Sequence, residues 1–391
     1  MYYSPKTSTD GLVFHYDTGN TVRSYLGEPT VNLHPNPEDV SSWTGNLFNN
    51  WINSAVTSNV STAPNRTLTA DRLGDGYGRF NTSVSITGGQ TYTYSVYLKN
   101  VSLTNNFAIV YAWGLNGTLV SYGTLVDVVV SQLSTTQWTR ITATITAPGS
   151  GVNQVQFGPC PFTGYGNPSG QQIDVWGGMI EQKSHVTPYT AETRSATQGL
   201  KDLTGNRLID LSNVSFNSNA QITFDGTDDG VAVDTALNLS SYSGLTVEGV
   251  VKGVGVGEYD RWFSGTSGTT VHYPDLAITQ LGELRYFFAS INDGWVPTGV
   301  TVSTTSFNYL TYTFTTAGAV KIYVNGQLAY STTHSAGTFP SVFRTMIGNR
   351  YDRNGEALIG EVPLTKIYNR ALTADEVQRN FNAVKSRFNI A

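Results

Sequence analysis

The stretch from Lys321 to Phe388 decides the fold. It opens with Lys321-Ile-Tyr-Val-Asn-Gly-Gln-Leu-Ala-Tyr330, in which two runs of alternating apolar and polar residues flank Asn325-Gly326. Asn-Gly between such runs is the strongest short-range signal of a β-hairpin, because both residues tolerate the positive φ angles of a two-residue turn. The stretch therefore begins with a predicted hairpin.

The same stretch ends in a predicted helix. Thr373 is followed three residues later by Glu376, which is the spacing of a capping box. Apolar residues then recur at helical spacing and predict one buried face. These residues are Val377, Phe381, Val384 and Phe388. We expect a helix from Thr373 to about Phe388 that packs against the preceding strands.

Two further segments connect the hairpin to the helix. They are Met346-Ile-Gly-Asn-Arg350 and Gly360-Glu-Val-Pro-Leu-Thr-Lys-Ile-Tyr-Asn-Arg370. With them, the whole stretch resembles the end of a laminin-G-like (concanavalin A-like) jelly roll, a resemblance that implies a β-sandwich but says little about activity. Pro363 departs from the family pattern, and proline within a strand indicates an edge position or a bulge.

Composition narrows the class of protein. The chain has 391 residues, of which 12% are aromatic and 13% charged, with 40 glycines, and this mixture is typical of an all-β protein with many turns. A net charge of −5 gives no basic field, so we expect no nucleic-acid partner. The single cysteine, Cys160, excludes an internal disulfide framework. Neither a signal-peptide pattern nor a membrane-spanning apolar run is found, and we expect a soluble protein made in the cytosol.

The start of the chain carries half of a motif whose other half lies far downstream. Gly11-Leu-Val-Phe-His-Tyr-Asp-Thr-Gly-Asn20 and Arg23-Ser-Tyr-Leu-Gly27 are similar to the opening of laminin-G-like domains in phage structural proteins. The turn that should follow appears only as Asp202-Leu-Thr-Gly-Asn206. We therefore expect residues 11–20 to pair within the C-terminal sandwich, with a separate domain inserted between the two halves.

The intervening segment resembles a second kind of jelly roll. Gln90-Thr-Tyr-Thr-Tyr-Ser-Val-Tyr-Leu-Lys99, Gln137-Trp-Thr-Arg-Ile-Thr-Ala-Thr-Ile145 and Ile173-Asp-Val-Trp-Gly-Gly-Met-Ile-Glu181 are similar to strands of the carbohydrate-binding-module-like jelly roll of phage tail and capsid accessory proteins. An insertion of this size is tolerated, because loop-closure entropy grows slowly with length when the inserted ends are close.

These observations predict an all-β fold of two jelly-roll β-sandwiches, the first inserted into the second, with a short C-terminal α-helix. The predicted parts are an N-terminal arm (1–10), a laminin-G-like sandwich (11–29 plus 194–391) and an inserted carbohydrate-binding-module-like jelly roll (30–193).

The sequence offers no recognisable catalytic constellation. Five histidines are scattered without the spacing of zinc ligands. Glycosidases of the concanavalin A-like fold carry their carboxylates on one strand as Glu-x-Asp-x-Glu, and retaining enzymes hold two carboxyls about 5–5.5 Å apart. This chain has only Val247-Glu-Gly249 in a comparable position. We expect no enzymatic activity and assign no catalytic residue.

A cluster of acidic residues is a candidate metal site. Asp225, Asp228 and Asp229 lie in one predicted tight turn, and Ca²⁺ takes six to eight oxygen ligands. The alternative, which we favour, is that these side chains cap their own turn. Calcium in carbohydrate-binding-module jelly rolls often bridges the first and last strands, which makes a further set of residues weaker candidates. That set is Asn36, Glu38, Asp174 and Glu181.

Exposed aromatic rings are the remaining candidates for ligand contacts, because sugars stack their apolar faces on large flat side chains. Trp138 and Trp176 match positions that the resembled family buries. The predicted carbohydrate-binding residues are Trp51, Tyr77, Trp113, Phe162, Tyr165 and Trp295. For each ring the alternative is a position in the core.

The resemblances imply a non-enzymatic structural accessory protein of a tailed-phage virion. It would be a capsid decoration, neck or tail-fibre component that contacts other virion proteins and adsorbs to host surface glycan. We expect no membrane partner and no cofactor, with Ca²⁺ and a homo-oligomer left open. The alternatives are a bacterial surface lectin and, less favoured, a glycan-degrading enzyme of the tail.

Overall fold

A computed structural model describes residues 7–45, 47, 55–74, 78–160, 170–255, 257, 259–267, 272–289, 294–353 and 355–391. The chain divides into two compact units, Met1–Pro29 with Ser195–Ala391, and Thr30–Arg194. The regular structure is almost entirely β, arranged as sandwiches, with one short α-helix near the C-terminus. The predicted fold class is therefore confirmed.

The two halves of the split motif meet in the C-terminal unit. Strand β1 (Leu12–Asp17) lies beside the turn at Asp202, whose Oδ1 accepts a hydrogen bond from the His15 amide at 3.0 Å. The amide of Leu203 donates to the His15 carbonyl at 2.7 Å, and Tyr25 forms an isolated β-bridge with Leu200. Residues on either side of the intervening segment thus form one local structure.

Residues 30–194 form their own sandwich. Its described strands make a five-stranded sheet in the order β3-β4-β11-β6-β9, a four-stranded sheet in the order β5-β10-β7-β8 and the pair β2-β12. Two 3-10 helices, Val40–Ser42 and Val130–Gln132, lie between strands. The strands are β2 (Thr30–Val31), β3 (Val56–Ser61), β4 (Ala70–Leu73), β5 (Val84–Ser85), β6 (Thr91–Asn100), β7 (Phe107–Leu115), β8 (Thr118–Val128), β9 (Thr139–Thr146), β10 (Gln154–Cys160), β11 (Ile173–Glu181) and β12 (Thr193–Arg194).

The core of this unit lies between its two large sheets. Alternation along β6 sends Tyr92, Tyr94, Val96 and Leu98 inward, and Tyr94 stacks on Phe157 of β10 with 5.0 Å between ring centroids. Trp113 of β7 belongs to the same cluster. Aromatic residues supply much of this core because each buries a large apolar surface.

The C-terminal unit is a larger sandwich. Its described strands form an eight-stranded sheet, in the order β14-β15-β26-β17-β22-β23-β24 with β1 also paired to β26, and a seven-stranded sheet in the order β13-β16-β25-β18-β19-β20-β21. The strands are β13 (Ile209–Asp210), β14 (Ser215–Phe216), β15 (Ile222–Asp225), β16 (Val231–Leu237), β17 (Gly244–Gly255), β18 (Arg261–Thr266), β19 (His272–Ile278), β20 (Glu283–Phe287), β21 (Val296–Thr301), β22 (Asn308–Thr315), β23 (Ala319–Val324), β24 (Gln327–Thr333), β25 (Phe343–Ile347) and β26 (Leu358–Tyr368).

Close packing between these two sheets requires a glycine. The Trp262 ring of β18 lies across Gly249 of β17, where an added Cβ would come within 2.5 Å of Trp262 Cζ3. Trp262 itself is fully buried. A side chain at position 249 would have to displace the largest ring of the core, so the sheet spacing depends on this glycine.

The predicted hairpin and the unusual proline both have clear structural counterparts. Asn325 and Gly326 join β23 to β24 with φ angles of 50° and 80°, which confirms the two-residue turn. Pro363 lies in β26, an interior strand, so an edge position is excluded. The pairing of β17 with β26 shifts register between Val250 and Lys252, opposite the segment that contains Pro363, and the bulge interpretation is confirmed.

The C-terminal helix α1 (Ala374–Val384) is followed by a 3-10 turn, Lys385–Phe388. Thr373 caps it: its hydroxyl accepts from the Glu376 amide, and the Glu376 carboxylate accepts from the Thr373 amide, as the capping box predicts. Phe381 and Val384 pack on Leu364 of the eight-stranded sheet. The α-helix ends four residues before Phe388, which packs against Phe307 from the 3-10 turn.

Within the described ranges, no helix combines the length and apolar character that crossing a bilayer requires.

Candidate functional site

Trp295 lies in an aromatic group on the outer face of the seven-stranded sheet. It immediately precedes β21, and the pairing of Tyr286 with Val296 places it beside Phe287 of β20, with 6.1 Å between ring centroids. Tyr259, whose side chain is 39% exposed, lies 5.4 Å from Trp295 on the other side. Trp295 and Phe287 are partly exposed. We call Tyr259, Phe287 and Trp295, with the underlying Arg261, the Trp295 surface.

Arg261 fixes the position of the indole. Its guanidinium carbon lies 5.0 Å from the Trp295 ring centroid, within the range of a cation–π contact. Arg261 Nε donates to Asp275 Oδ2 at 2.6 Å, and Nη1 donates to Glu356 and to the Tyr259 carbonyl. The Arg261 and Asp275 side chains are 3% and 0% exposed. A planar group held at three points is pre-organised, so the ring stacked on it is also held.

The acidic partners of Arg261 are themselves restrained. Asp275 Oδ1 accepts from the Ser264 hydroxyl at 2.8 Å, and Glu356 Oε2 accepts a second charge-assisted hydrogen bond, from Arg350 Nη1, at 3.1 Å. The network thus supplies a rigid polar support beneath an apolar ring. This network cannot be predicted from the sequence, because Arg261, Asp275 and Glu356 come together only through the pairing of β18 with β19 and the loop before β26.

The other predicted carbohydrate-binding residues do not extend this surface. Trp113 lies within β7 and is 3% exposed, with its ring packed on Tyr111 in the core of the inserted unit. A ring so buried has no face for a sugar, so the predicted sugar contact of Trp113 is wrong. The remaining candidates, Trp51, Tyr77, Phe162 and Tyr165, fall outside the described residues.

A second aromatic surface lies on the five-stranded sheet of the inserted unit. Tyr97 and Tyr189 pack on Trp176, with ring centroids 5.6 and 4.5 Å from its own. Trp138 joins the same cluster. Trp176 is buried, as the resemblance implied, whereas Trp138 is partly exposed. For Trp138 the burial that the resemblance implies is therefore wrong.

Cations order this second surface, which we call the Trp138 surface. Lys99 Nζ lies 4.9 Å from the Trp138 centroid, and Arg140 lies 5.4 Å from that of Tyr97. Asp174 accepts from Arg72 at 2.7 Å and from Lys99 at 3.1 Å. Burial alone would raise the pKa of Asp174, but the hydrogen bonds from Arg72 and Lys99 outweigh it and the pKa lies below its usual value.

Three of the four weaker metal candidates of this unit, Glu38, Asp174 and Glu181, have partners for their carboxylates. Glu38 accepts from the Tyr189 hydroxyl at 3.1 Å. Glu181 accepts from the Thr30 hydroxyl at 2.8 Å and from Thr187 at 2.7 Å. Together with the ion pairs of Asp174, these contacts explain the residues as structural links within the inserted sandwich.

The acidic turn is the one group of described residues whose potential ligand atoms converge, all lying within 4.8 Å of one another. Asp225 Oδ1 accepts from the Thr227 amide at 2.8 Å, and Asp229 Oδ2 accepts from the Asp225 amide at 3.0 Å. Burial and the neighbouring charges of Asp225 and Asp228 raise the pKa of Asp229. These hydrogen bonds are those of a self-capped turn, and a Ca²⁺ site at Asp225, Asp228 and Asp229 stays a prediction.

Glu248, the isolated carboxylate noted in the sequence, lies beneath helix α1. It is fully buried, accepts from Asn380 Nδ2 at 2.9 Å and from the Thr311 hydroxyl at 3.2 Å, and burial raises its pKa. A carboxyl in this position has no open path to a polymer in solvent.

Comparisons with known proteins agree with the architecture of the C-terminal unit. Residues 225–378 match a family model described as the concanavalin A-like lectin/glucanases superfamily. A comparison with curated protein sequences gave no match.

Among solved structures, the chain is similar to Trypanosoma rangeli sialidase in complex with 2,3-difluorosialic acid, at 16% identity and a TM-score of 0.39, covering 48% of this chain and 31% of that one. It is also similar to the receptor binding domain of botulinum neurotoxin D, at 15% identity and a TM-score of 0.36, covering 48% and 50%. The chain thus spans a third to a half of these proteins, and similarity this low carries no functional inference. The C-terminal unit has the β-sandwich fold of the concanavalin A-like lectins and glucanases, as its match over residues 225–378 indicates.

Proposed function

We propose that this protein is a non-enzymatic accessory component of a tailed-phage particle, carried on the capsid, neck or tail, that attaches to host surface glycan through the Trp295 surface. The observation that carries the glycan part is the indole of Trp295. It is partly exposed, flanked by the exposed Tyr259, and seated on a guanidinium that Asp275 holds in place.

This geometry suits a sugar ring. A pyranose presents an apolar face of C–H groups to an aromatic ring and hydroxyls around its rim, and Trp and Tyr combine a flat apolar area with a polar atom. Because the ring is already fixed, binding costs little side-chain entropy. One open surface gives weak binding, and many copies on one particle would compensate through avidity.

The arrangement of the carboxylates supports a binding role rather than hydrolysis. A glycosidase needs an acid that delivers its proton to the scissile bond. Asp275 and Glu356, the carboxylates that hold the guanidinium beside Trp295, each form an ion pair with Arg261. Glu248 is enclosed under the helix. Purified protein that depolymerises a host capsular or cell-wall polysaccharide would overturn this part of the proposal.

The virion assignment draws on the sequence resemblances to phage structural proteins and on a domain arrangement of one jelly roll within another. The partners proposed are capsid, neck or tail proteins. Attachment of this kind needs an interface of at least about 1,000 Å². Mass spectrometry of purified particles tests the assignment: the polypeptide is expected in them, and its absence would bring forward a free surface lectin.

The glycan part is tested with a panel of immobilised bacterial surface polysaccharides. Wild-type protein is expected to bind a subset that Trp295→Ala does not, while Trp295→Phe retains part of the signal because it keeps an aromatic face. Tyr122→Ala is the matched control, since Tyr122 is 53% exposed on β8 of the other unit. Equal binding by all four proteins would contradict a role for the Trp295 surface.

A further inference from the structure

A cavity of about 810 Å³ lies on the outer face of the eight-stranded sheet. Its walls are the arm residues 7–10, strands β1 and β26, and helix α1 with the 3-10 turn that follows it. None of its lining residues belongs to the aromatic surfaces described above. Its lining combines hydroxyl groups, a short apolar wall and several charged side chains.

A row of polar residues crosses the sheet at the base of this cavity. His15 of β1 pairs with Lys366 of β26, and Lys366 pairs with Glu248 of β17. Side chains at paired positions share a face of a sheet, so all three face outward. Helix α1 and the arm then cover them: the Ser8 amide donates to Asn380 Oδ1 at 2.7 Å, and Asn380 donates to Glu248.

Lys366 is left incompletely satisfied by this arrangement. Its side chain is 1% exposed, and its Nζ has no hydrogen-bond acceptor in the described part of the chain. The nearest carboxylate oxygen, Glu248 Oε2, is 4.0 Å away and already accepts from Asn380. Burying an ammonium without hydrogen bonds is costly, and burial lowers the pKa of Lys366. Such a group points to an acceptor that a ligand would supply.

His15, on the neighbouring strand β1, is also incompletely satisfied. Its Nε2 is buried and has no hydrogen-bond partner among the described residues. Burial, together with the charge of Lys366, lowers the pKa of His15 to about 4. At neutral pH the ring is therefore uncharged. In the tautomer that carries its proton on Nε2, it can donate a hydrogen bond from that nitrogen. Both residues line the same cavity, and each carries a buried nitrogen without a hydrogen-bond partner among the described residues.

Each carboxylate that lines the cavity pairs with an arginine, and Asp10 Oδ2 lies 2.9 Å from Arg370 Nε, an arginine that it shares with Glu376. Asp17 receives two hydrogen bonds from Arg387, at 2.7 and 2.9 Å, and Glu376 receives two from Arg370, at 2.6 and 2.8 Å. Arg379 lines the cavity, is exposed, and makes no ion pair with any residue that the structure describes. The cations available to a ligand are Lys366 and Arg379, which favours an anion.

We infer that this cavity binds the carboxylate of a small hydroxylated acid, such as a hexuronic acid, with Lys366 and His15 donating to the carboxylate and Arg379 closing over it. The hydroxyls of Thr7, Ser8 and Thr9 line the site for polar contacts, and Leu364, Ala383 and Val384 form an apolar wall. A monoanion fits better than a phosphate dianion, because the carboxylates of Asp10, Asp17 and Glu376 line the cavity and Glu248 lies 4.0 Å from Lys366.

The site does not rest on the proposed attachment through Trp295, and the test keeps the two apart. Sodium glucuronate is titrated into the full-length protein by calorimetry, with glucose as the neutral analogue and inorganic phosphate as the dianion. Glucuronate is expected to bind, and glucose and phosphate to bind at least tenfold more weakly. Trp295→Ala is expected to retain full glucuronate affinity, since it leaves the cavity intact.

Substitutions identify the side chains that contact glucuronate. Lys366→Met is expected to weaken glucuronate binding by about ten- to hundredfold, the usual loss of a charge-assisted hydrogen bond. Arg379→Gln, on the exposed side of the helix, is expected to weaken it about threefold or more without altering the fold. Arg344→Gln, on the seven-stranded sheet, is the matched control and is expected to bind as wild type. Circular dichroism and urea unfolding verify that each variant is folded.

Three outcomes would overturn the inference. They are equal binding of glucose and glucuronate, the absence of glucuronate binding to the folded wild-type protein, and full affinity in both Arg379→Gln and Lys366→Met. If Lys366→Met does not fold, His15→Gln and Arg379→Gln decide the question. Full glucuronate affinity in both of these variants would contradict the assignment.

Discussion

The guanidinium of Arg261 lies over the face of the Trp295 indole, with 5.0 Å between Cζ and the ring centroid, while its Nε bonds to the buried Asp275 at 2.6 Å. One residue therefore joins a buried ion pair to an exposed aromatic surface. We therefore expect Arg261 to contribute both to the stability of the sandwich and to ligand binding at Trp295.

Replacement of Arg261 by Met should be strongly destabilising. It removes the partner of Asp275, which is fully buried, and leaves an uncompensated carboxylate. The expected loss is about 3–5 kcal/mol in the free energy of unfolding, measured by urea denaturation. Arg261→Met combined with Asp275→Leu should recover most of that loss, because the unpaired charge is then gone. A single variant as stable as wild type would contradict a dry, well-paired Arg261.

The C-terminal helix should contribute to stability chiefly through its buried face. Phe381 is 4% exposed and packs on Tyr309, and Phe381→Ala is expected to cost about 3–5 kcal/mol. Thr373→Ala removes the cap and is expected to cost about 1 kcal/mol. Ala383→Ser, at a partly buried position on the same helix, is the mild control. Urea unfolding measures all three, and a neutral Phe381→Ala would mean that the helix is not anchored on this sheet.

His34 should make the inserted unit sensitive to acid. Its ring is 3% exposed and packs on Trp43, and burial lowers its pKa to about 3, against a smaller opposing effect of the hydrogen bond to the Pro35 carbonyl. Because the unfolded chain takes up this proton near pH 6.5 and the folded chain only near pH 3, stability is unaffected above pH 7 and falls as the pH drops below about 6.5.

The size of this effect follows from the same linkage. Between pH 7 and pH 5, wild type should lose about 2 kcal/mol relative to His34→Gln, which has no titrating ring. Urea unfolding of both proteins at the two pH values measures the difference directly. An unchanged difference between pH 7 and pH 5 would mean that His34 reaches solvent or a proton acceptor in the folded state.

Removal of the inserted unit should leave a folded domain. The core of the C-terminal unit draws on Phe14, Tyr16 and Tyr25 before the insertion and on residues from Leu200 onward after it, so a deletion that joins Gly27 to Ser195 keeps the whole cluster. We expect a β-type circular dichroism spectrum and one cooperative unfolding transition. A deletion protein without a cooperative transition would show that the two units depend on each other.

The elements that the sequence predicted well are those with local causes. Asn325-Gly326, Thr373 with Glu376, and Pro363 each act within a few residues, through φ preferences, capping and a missing amide donor. The split motif is also recognisable from the sequence, because Arg23–Gly27 and Asp202–Asn206 each keep a local pattern even though 174 residues lie between Gly27 and Asp202.

The candidate sites depended on contacts that a sequence does not display. Trp113 and Trp295 are both predicted to contact sugar, yet β7 buries one and the outer face of the seven-stranded sheet presents the other. Lys366 alternates outward from its strand, a position that normally predicts solvent. Helix α1 and the arm cover it instead, and only the tertiary structure shows that this lysine is enclosed.

The most direct test of the central claim is the affinity of the protein for the purified surface polysaccharide of its host, measured by biolayer interferometry with wild type, Trp295→Ala and Tyr122→Ala. Trp295→Ala is expected to raise the dissociation constant by about tenfold or more, as loss of a central aromatic contact does. Tyr122→Ala is expected to bind as wild type, and no polysaccharide is expected to be cleaved. Unchanged affinity in folded Trp295→Ala, or release of oligosaccharides by the wild-type protein, would contradict attachment by a non-enzymatic Trp295 surface.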